Sequence, residues 1–247
     1  MNIWAHRGCS QMYPENTLLA FDKAMQIKGL TGIELDIQLT KDGYMVVIHD
    51  EAVDRTTNGH GYVKDMTLKE IKNLECGMDE KIPLIEEVLD VLGHRMKDGL
   101  LLNIELKNSI FSYEGMEEKI TQLIYERGLD KSVIYSTFYA KSIEKLRRLV
   151  PDAEIGILDR KVSDCIFKVQ GGCGADAIHP FWREIDLQPD ELERTILKAT
   201  NGKKIPVRAW FTGHLYPEKP TGTKLDLLIL EKQGITDVFL NEPERYL

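Results

Sequence analysis

The sequence predicts an α/β fold, a TIM (β/α)8 barrel with a small insertion after its second strand, on three observations. The 247 residues match the roughly 250 of a complete eight-stranded α/β barrel. Short apolar runs alternate with segments of helical period from one end to the other, the pattern of repeated βα units on a parallel sheet. Charged and imidazole side chains collect at the ends of the early strands, where barrel enzymes carry their chemistry.

The first strand is expected at Ile3–His6, and Pro14-Glu15-Asn16-Thr17 before an apolar run signals the start of a helix over Asn16–Ile27. The second strand is Gly32–Ile37. Alternation then breaks: Asp42-Gly43 is a hairpin signal, Tyr44–Ile48 reads as an extra strand, and Asp54–Gly77 is a polar excursion with turn residues at Asn58-Gly59 and Gly61. This insertion, about 43–80, is expected on the βα-loop face, where it would wall a pocket. Strands then follow at Leu101–Leu106, Val133–Ser136, Glu154–Leu158, Ala175–His179, Pro206–Trp210 and Asp237–Leu240. Around them, Glu86–Arg95, Glu117–Glu126, Ala140–Leu149, Asp190–Lys198 and Leu225–Lys232 carry apolar residues at helical spacing. No linker or low-complexity tract divides the chain, so one domain over 1–247 is expected.

Composition narrows the class. A hydrophobic fraction of 43% and a charged fraction of 29% are those of a soluble globular domain. A net charge of −8 without a basic stretch argues against nucleic acid as partner, because phosphate polymers are held by clustered Lys and Arg. No signal-peptide pattern and no apolar run of membrane-spanning length is visible, so a cytoplasmic protein without stable membrane association is expected. Cys9, Cys76, Cys165 and Cys173 lack CxxC spacing and read as reduced thiols.

The chemistry sits at strand ends. His6-Arg7-Gly8 closes the first strand, Glu34 and Asp36 lie in the second, His49-Asp50 follows the hairpin strand, and Glu105 and Lys107 close the next. Residues two apart on a strand share a face, so Glu34 with Asp36, and Glu105 with Lys107, project together. Carboxylates meeting at a barrel axis repel unless neutralised, and a hard divalent cation prefers such oxygen ligands. Glu34, Asp36 and Glu105 are therefore the candidate metal ligands; the bland reading is salt bridges at the barrel mouth. His6 and His49 are the candidate proton-transfer pair, since unperturbed imidazoles titrate at about 6.5. Arg7 offers a planar fork and Lys107 a point charge for a phosphate. Phe138 and Trp210 close strands on the same face and are candidates to line a pocket, and His179 to approach the substrate. Asp54-Arg55-Thr56-Thr57-Asn58-Gly59 reads as a loop that caps itself. His60, His94 and His214 read as surface residues.

The ordered motifs WAHRG at 4–8, PENTLLAF at 14–21, GIELDIQLTKDG at 32–43, VVIHDEAVDRTTNG at 46–59, IPLIEEVL at 82–89 and LLNIELK at 101–107, then more loosely STF and DAIHP, resemble the glycerophosphodiester phosphodiesterases over nearly the whole chain. The resemblance implies a (β/α)8 barrel that hydrolyses small-molecule glycerophosphodiesters to sn-glycerol 3-phosphate and an alcohol. It implies His6 and His49 as the general acid/base pair and Glu34, Asp36 and Glu105 as ligands of one divalent cation, Mg²⁺, Ca²⁺ or Mn²⁺. Arg7 and Lys107 would contact phosphate. Two departures from the family pattern bear on the alcohol-side pocket: Phe211-Thr212-Gly213-His214 opens a longer loop containing Pro217 and Pro220, and Asn241-Glu242-Pro243 stands where the last strand usually runs into an Asp. Competing readings are a phospholipase D-like hydrolase of lysophospholipids or sphingolipids, and a non-catalytic phosphodiester-binding barrel. The mostly polar Asp54–Asp65 stretch favours water-soluble diesters over lipids.

Overall fold

A computed structural model describes residues 1–181, 189–211 and 225–247. In chain order the elements are β1 (Asn2–His6), α1 (Leu18–Met25), β2 (Gly32–Leu39), β3 (Met45–Val47), α2 (Leu68–Ile71), α3 (Ile85–Lys97), β4 (Leu101–Leu106), α4 (Met116–Glu126), β5 (Val133–Thr137), α5 (Ala140–Leu149), β6 (Glu154–Asp159), α6 (Val162–Gln170), β7 (Ala177–Pro180), α7 (Pro189–Ala199), β8 (Arg208–Trp210), α8 (Leu227–Lys232) and β9 (Asp237–Leu240). The barrel strands run parallel in the order β7-β6-β5-β4-β2-β1-β9-β8, and β3 pairs antiparallel with β2. Parallel bridges Ile178–Val207 and Phe181–Trp210 draw β7 and β8 together, and the Ile178 N–H donates to the Pro206 carbonyl at 3.1 Å. This is the expected (β/α)8 barrel.

The expected strands are found, with differences at their ends. β2 runs two residues further than expected because Gln38 and Leu39 pair with Val46 and Met45 across the hairpin. β7 and β8 start later than expected; Pro206 has no N–H to give a ladder, and β8 begins beyond it. Helix α6 lies in a stretch where no helical segment is named above.

β2 shows how one sequence serves both faces. All eight of its residues are buried, as in a strand covered by helices on one side and enclosed by the barrel on the other. Ile33, Leu35, Ile37 and Leu39 join the large cluster that also takes in α1 and α3 side chains, while Glu34 and Asp36 alternate with them. Inside the barrel, Trp4, Ile134 and Phe239 form a separate cluster. Trp4 Nε1 donates to Asp237 Oδ1 at 2.8 Å, and the buried Arg208 donates to Glu154 Oε1 at 2.5 Å. The interior is thus ionic and aromatic where barrels more often stack branched aliphatic layers.

Between β2 and α3 the chain builds a small core of its own from Val46, Ile48, Val53, Val63, Ile71 and Ile82. The short α2 is held at its start by a capping box between Thr67 and Glu70. Among the described residues, no helix is long and apolar enough to cross a membrane.

Candidate active site

The site begins with a sharp turn at the end of β1. Gly8 has φ +80°, and a Cβ there would stand 2.7 Å from the backbone of Ala20, so any other residue would push the loop off α1. Arg7 has φ +57° and Asn16 φ +58°, a left-handed conformation that costs a side-chain-bearing residue about 1–3 kcal/mol and gathers at functional sites. The turn is fixed by hydrogen bonds: the Arg7 N–H donates to both the backbone oxygen and Oε2 of Glu34 at 3.0 Å, and the Asn16 N–H to the Arg7 carbonyl at 3.1 Å.

Three carboxylates converge where β1, β2 and β4 lie side by side. Glu34, Asp36 and Glu105 are all buried and each offers an oxygen within 4.8 Å of the others. Asp36 Oδ2 accepts from Asn16 Nδ2 at 2.9 Å and lies 3.3 Å from Arg7 Nε. Glu105 Oε1 accepts from Lys107 Nζ at 2.9 Å. Glu34 Oε1 and Asp36 Oδ1 are buried and accept no hydrogen bond among the described residues. Burial, reinforced by the charge of Asp36, pushes Glu34 well above the usual carboxylate range. Burial outweighs the neighbouring Arg7 and pushes Asp36 up to about 6. Burial works against charge on Arg7 and Lys107 as well, but Glu15 with Asp36, and Glu105 with Asp36, more than offset it, and both stay cationic. Orphaned carboxylate oxygens are costly, and an oxygen-seeking divalent cation would satisfy them and relieve the repulsion at once. The residues fit such an ion.

Two imidazoles flank the acids. His6 Nδ1 lies 2.7 Å from Asn241 Oδ1, and its Nε2 lies 3.8 Å from Glu34 Oε2. His49 Nδ1 lies 2.6 Å from Asp50 Oδ1, and Lys107 Nζ stands 3.2 Å from its Nε2. Each ring is held through Nδ1, which leaves Nε2 turned toward the charged cluster.

A cavity of about 310 Å³ joins these groups to an aromatic wall. One side carries His6, Arg7, Glu34, His49, Glu105 and Lys107; the other carries Phe138, Leu158, His179, Trp210 and Phe239, with Glu51, Asn103, Ser109, Ile110 and Arg160 also lining it. Phe138 and Trp210 meet edge to face at 6.4 Å, and Trp210 Nε1 donates to the His179 carbonyl at 3.0 Å. Burial, and then the charge of Arg208, hold His179 neutral far below its ordinary range. Its ring lies over Gly156, where a Cβ would stand 2.3 Å from His179 Nε2.

Every site residue expected from the sequence lines this cavity except Asp36, which is fully buried beside Glu34 and Glu105. Two nitrogens of Arg7 already face carboxylates, Nη1 at 2.9 Å from Glu15 and Nε toward Asp36. His60 and His94 are exposed and the four cysteines are free thiols, while His214, Pro217 and Pro220 lie outside the described residues. Sequence reasoning gave Asp50 no role, ranked Glu15, Asn16 and Arg55 as lesser candidates behind a helix start and a self-capping loop, and placed Asn241 on the alcohol side rather than beside His6. The expected helix start is real, since Thr17 Oγ1 accepts from the Ala20 N–H. Glu15 and Asn16 precede that cap and are not needed for it, which is the signal that they serve something else.

Residues 6–163 match the model of the glycerophosphoryl diester phosphodiesterase family. A glycerophosphodiester phosphodiesterase of Caldanaerobacter subterraneus is 48% identical over 249 residues, covering 98% of this chain and 94% of that one. Among solved structures, an Oleispira antarctica phosphodiesterase in complex with the product sn-glycerol-3-phosphate is 26% identical with a TM-score of 0.76, covering 99% of this chain and 94% of that one. A glycerophosphodiester phosphodiesterase of Thermotoga maritima is 25% identical with a TM-score of 0.72, covering 99% and 96%.

Proposed function

The chain belongs to the glycerophosphoryl diester phosphodiesterase family, and on that premise we propose that it hydrolyses a water-soluble glycerophosphodiester to sn-glycerol 3-phosphate and an alcohol, with two histidines moving protons beside a divalent cation. The carrying observation is the set of three buried carboxylates within 4.8 Å of one another, two of which, Glu34 and Glu105, line the same cavity as both imidazoles.

Glu34, Asp36 and Glu105 would hold the cation, Mg²⁺, Ca²⁺ or Mn²⁺, with Asn16 orienting Asp36 and Lys107 orienting Glu105. When bound, the ion supplies Lewis-acid charge to a phosphate oxygen. Lys107 stands between Glu105 and His49 and places a fixed positive charge where negative charge develops on phosphorus. Arg7 adds a second cation, braced by Glu15 and Asp36. One imidazole takes the proton of the attacking oxygen at Nε2, and the other delivers a proton to the departing alkoxide. Asn241 and Asp50 fix the Nδ1 sides of the two rings so that Nε2 is the working atom. Phe138, Trp210 and His179 supply the wall against which the alcohol packs.

Purified protein incubated with the choline, ethanolamine, glycerol and inositol diesters should release glycerol 3-phosphate from at least one of them, and a chelator should abolish that release. Turnover indifferent to the chelator would remove the cation from the reaction.

A further inference from the structure

Arg55 lies at the end of the 3-10 turn Val53–Arg55, in a stretch that reads from sequence as a self-capping loop. Asp54 behaves that way, with Oδ2 accepting from the Gly61 N–H at 3.0 Å. Arg55 does not. Its Nε and Nη2 donate to the two oxygens of Asp50 at 2.6 and 3.0 Å, and its Nη1 and Nη2 donate to the two oxygens of Glu15 at 2.8 and 2.7 Å. One guanidinium thus grips two carboxylates, each through both oxygens, the geometry in which its fork is strongest.

Both carboxylates lead into the active site. Glu15 Oε1 also accepts from Arg7 Nη1 at 2.9 Å, and Arg7 Nε faces Asp36. Asp50 Oδ1 also lies 2.6 Å from His49 Nδ1, and His49 Nε2 meets Lys107, which holds Glu105. The side chains therefore form a continuous series, Asp36–Arg7–Glu15–Arg55–Asp50–His49–Lys107–Glu105. It starts on one candidate metal ligand and ends on another, with Arg55 spanning the gap between the loop after β1 and the part of the insertion that follows β3.

We infer that Arg55 is a positioning residue for the reaction: by fixing both oxygens of Asp50 it holds the His49 imidazole in register with Lys107, and by fixing Glu15 it ties that register to Arg7. The inference rests on the proton-transfer role proposed above for His49. An isolated surface ion pair would do little, and Arg55 is about one-third exposed, so it does not fill a core. Its four N–H···O contacts are placed where they restrain rotation of the carboxylate that orients an imidazole.

The test is a cycle of variants on the full chain, read as separate kcat and KM values with thermal unfolding alongside. Arg55→Ala should lower kcat by about 10- to 100-fold, the range expected from a small misplacement of a working group, with KM within about twofold of the parent. Arg55→Lys keeps the charge and a long side chain but cannot span four oxygens, so it should fold and stay several-fold slow. In a His49→Ala background, Arg55→Ala should cost nothing more, because the group it positions is gone. Arg127→Ala removes the ion pair to Asp90 between outer helices and should leave kcat unchanged. Parent-like turnover by Arg55→Lys, or losses that multiply in the His49→Ala background, would overturn the inference. The single variant His49→Ala tests the proton-transfer role separately: full activity there removes the premise itself.

Discussion

From β1 to β4 the barrel mouth carries His6, Arg7, Glu34, Asp36, His49, Glu105 and Lys107, each within ion-pair or hydrogen-bond distance of another member. From β5 to β9 it carries Phe138, Leu158, His179, Trp210 and Phe239 on the same cavity, with Arg160 as the charged residue among them. In this second half the buried Arg208 and Asp237 face the interior, at Glu154 and Trp4. The contrast separates two jobs. On the function proposed above, what is common to every glycerophosphodiester, the phosphate and the proton transfers, would meet the ionic half, and the variable alcohol would meet the aromatic half. Changes in the first half should appear in kcat and cation affinity, and changes in the second in KM and in the ranking of substrates.

The largest effect expected is in the ionic half. His6→Ala or His49→Ala should each lower kcat by about 10²- to 10⁴-fold, the usual contribution of general acid–base catalysis, measured as glycerol 3-phosphate release. Asn16→Ala removes the donor to Asp36 Oδ2 and should weaken cation binding by about 10- to 100-fold, as loss of a ligand-orienting partner does, measured by calorimetric titration. An unchanged affinity would mean that Asp36 needs no orientation and that the left-handed Asn16 is strained for another reason.

In the aromatic half the effects should be smaller and of a different kind. Trp210→Ala should raise KM by roughly tenfold, about 1.4 kcal/mol of lost apolar contact, with kcat within a few-fold of the parent and the ranking of head groups altered. A fall in kcat with KM intact would erase the division between the halves. His179 sharpens the contrast through stability. Its folded-state pKa is depressed by burial and then by Arg208, so below about 6.5 the unfolded chain binds a proton that the folded chain refuses. Its neutral burial therefore costs stability as pH falls through that value, about 1 kcal/mol between pH 6.5 and 5.5. His179→Phe should flatten the dependence of unfolding free energy on pH in that window. An unaltered slope would place the titration elsewhere.

The two halves also differ in how much of them is legible in the sequence. Glu34 with Asp36, and Glu105 with Lys107, announce themselves because alternation on a strand puts residues two apart on one face, and the barrel then sets β1, β2 and β4 side by side. The (β/α)8 architecture is legible for the same reason, through local periodicity. What spacing cannot show is pairing across the chain. His6 meets Asn241 from 235 residues away, and Arg55 meets Glu15 from 40, both through contacts that exist once the barrel closes. Arg55 and Glu15 were further concealed because their neighbours have local duties, Asp54 capping its own loop and Thr17 starting α1. Phe138 and Trp210 read as pocket or core with nearly equal force, since an aromatic residue at a strand end serves either.

Titrating chelator-treated protein with a divalent cation while following heat and glycerol 3-phosphate release together tests the central claim most directly. One equivalent should bind, activity should rise with the same midpoint, and the combined variant Glu34→Gln, Asp36→Asn, Glu105→Gln should neither bind nor turn over. Binding undiminished in that variant, or full activity before any cation is added, would contradict the account.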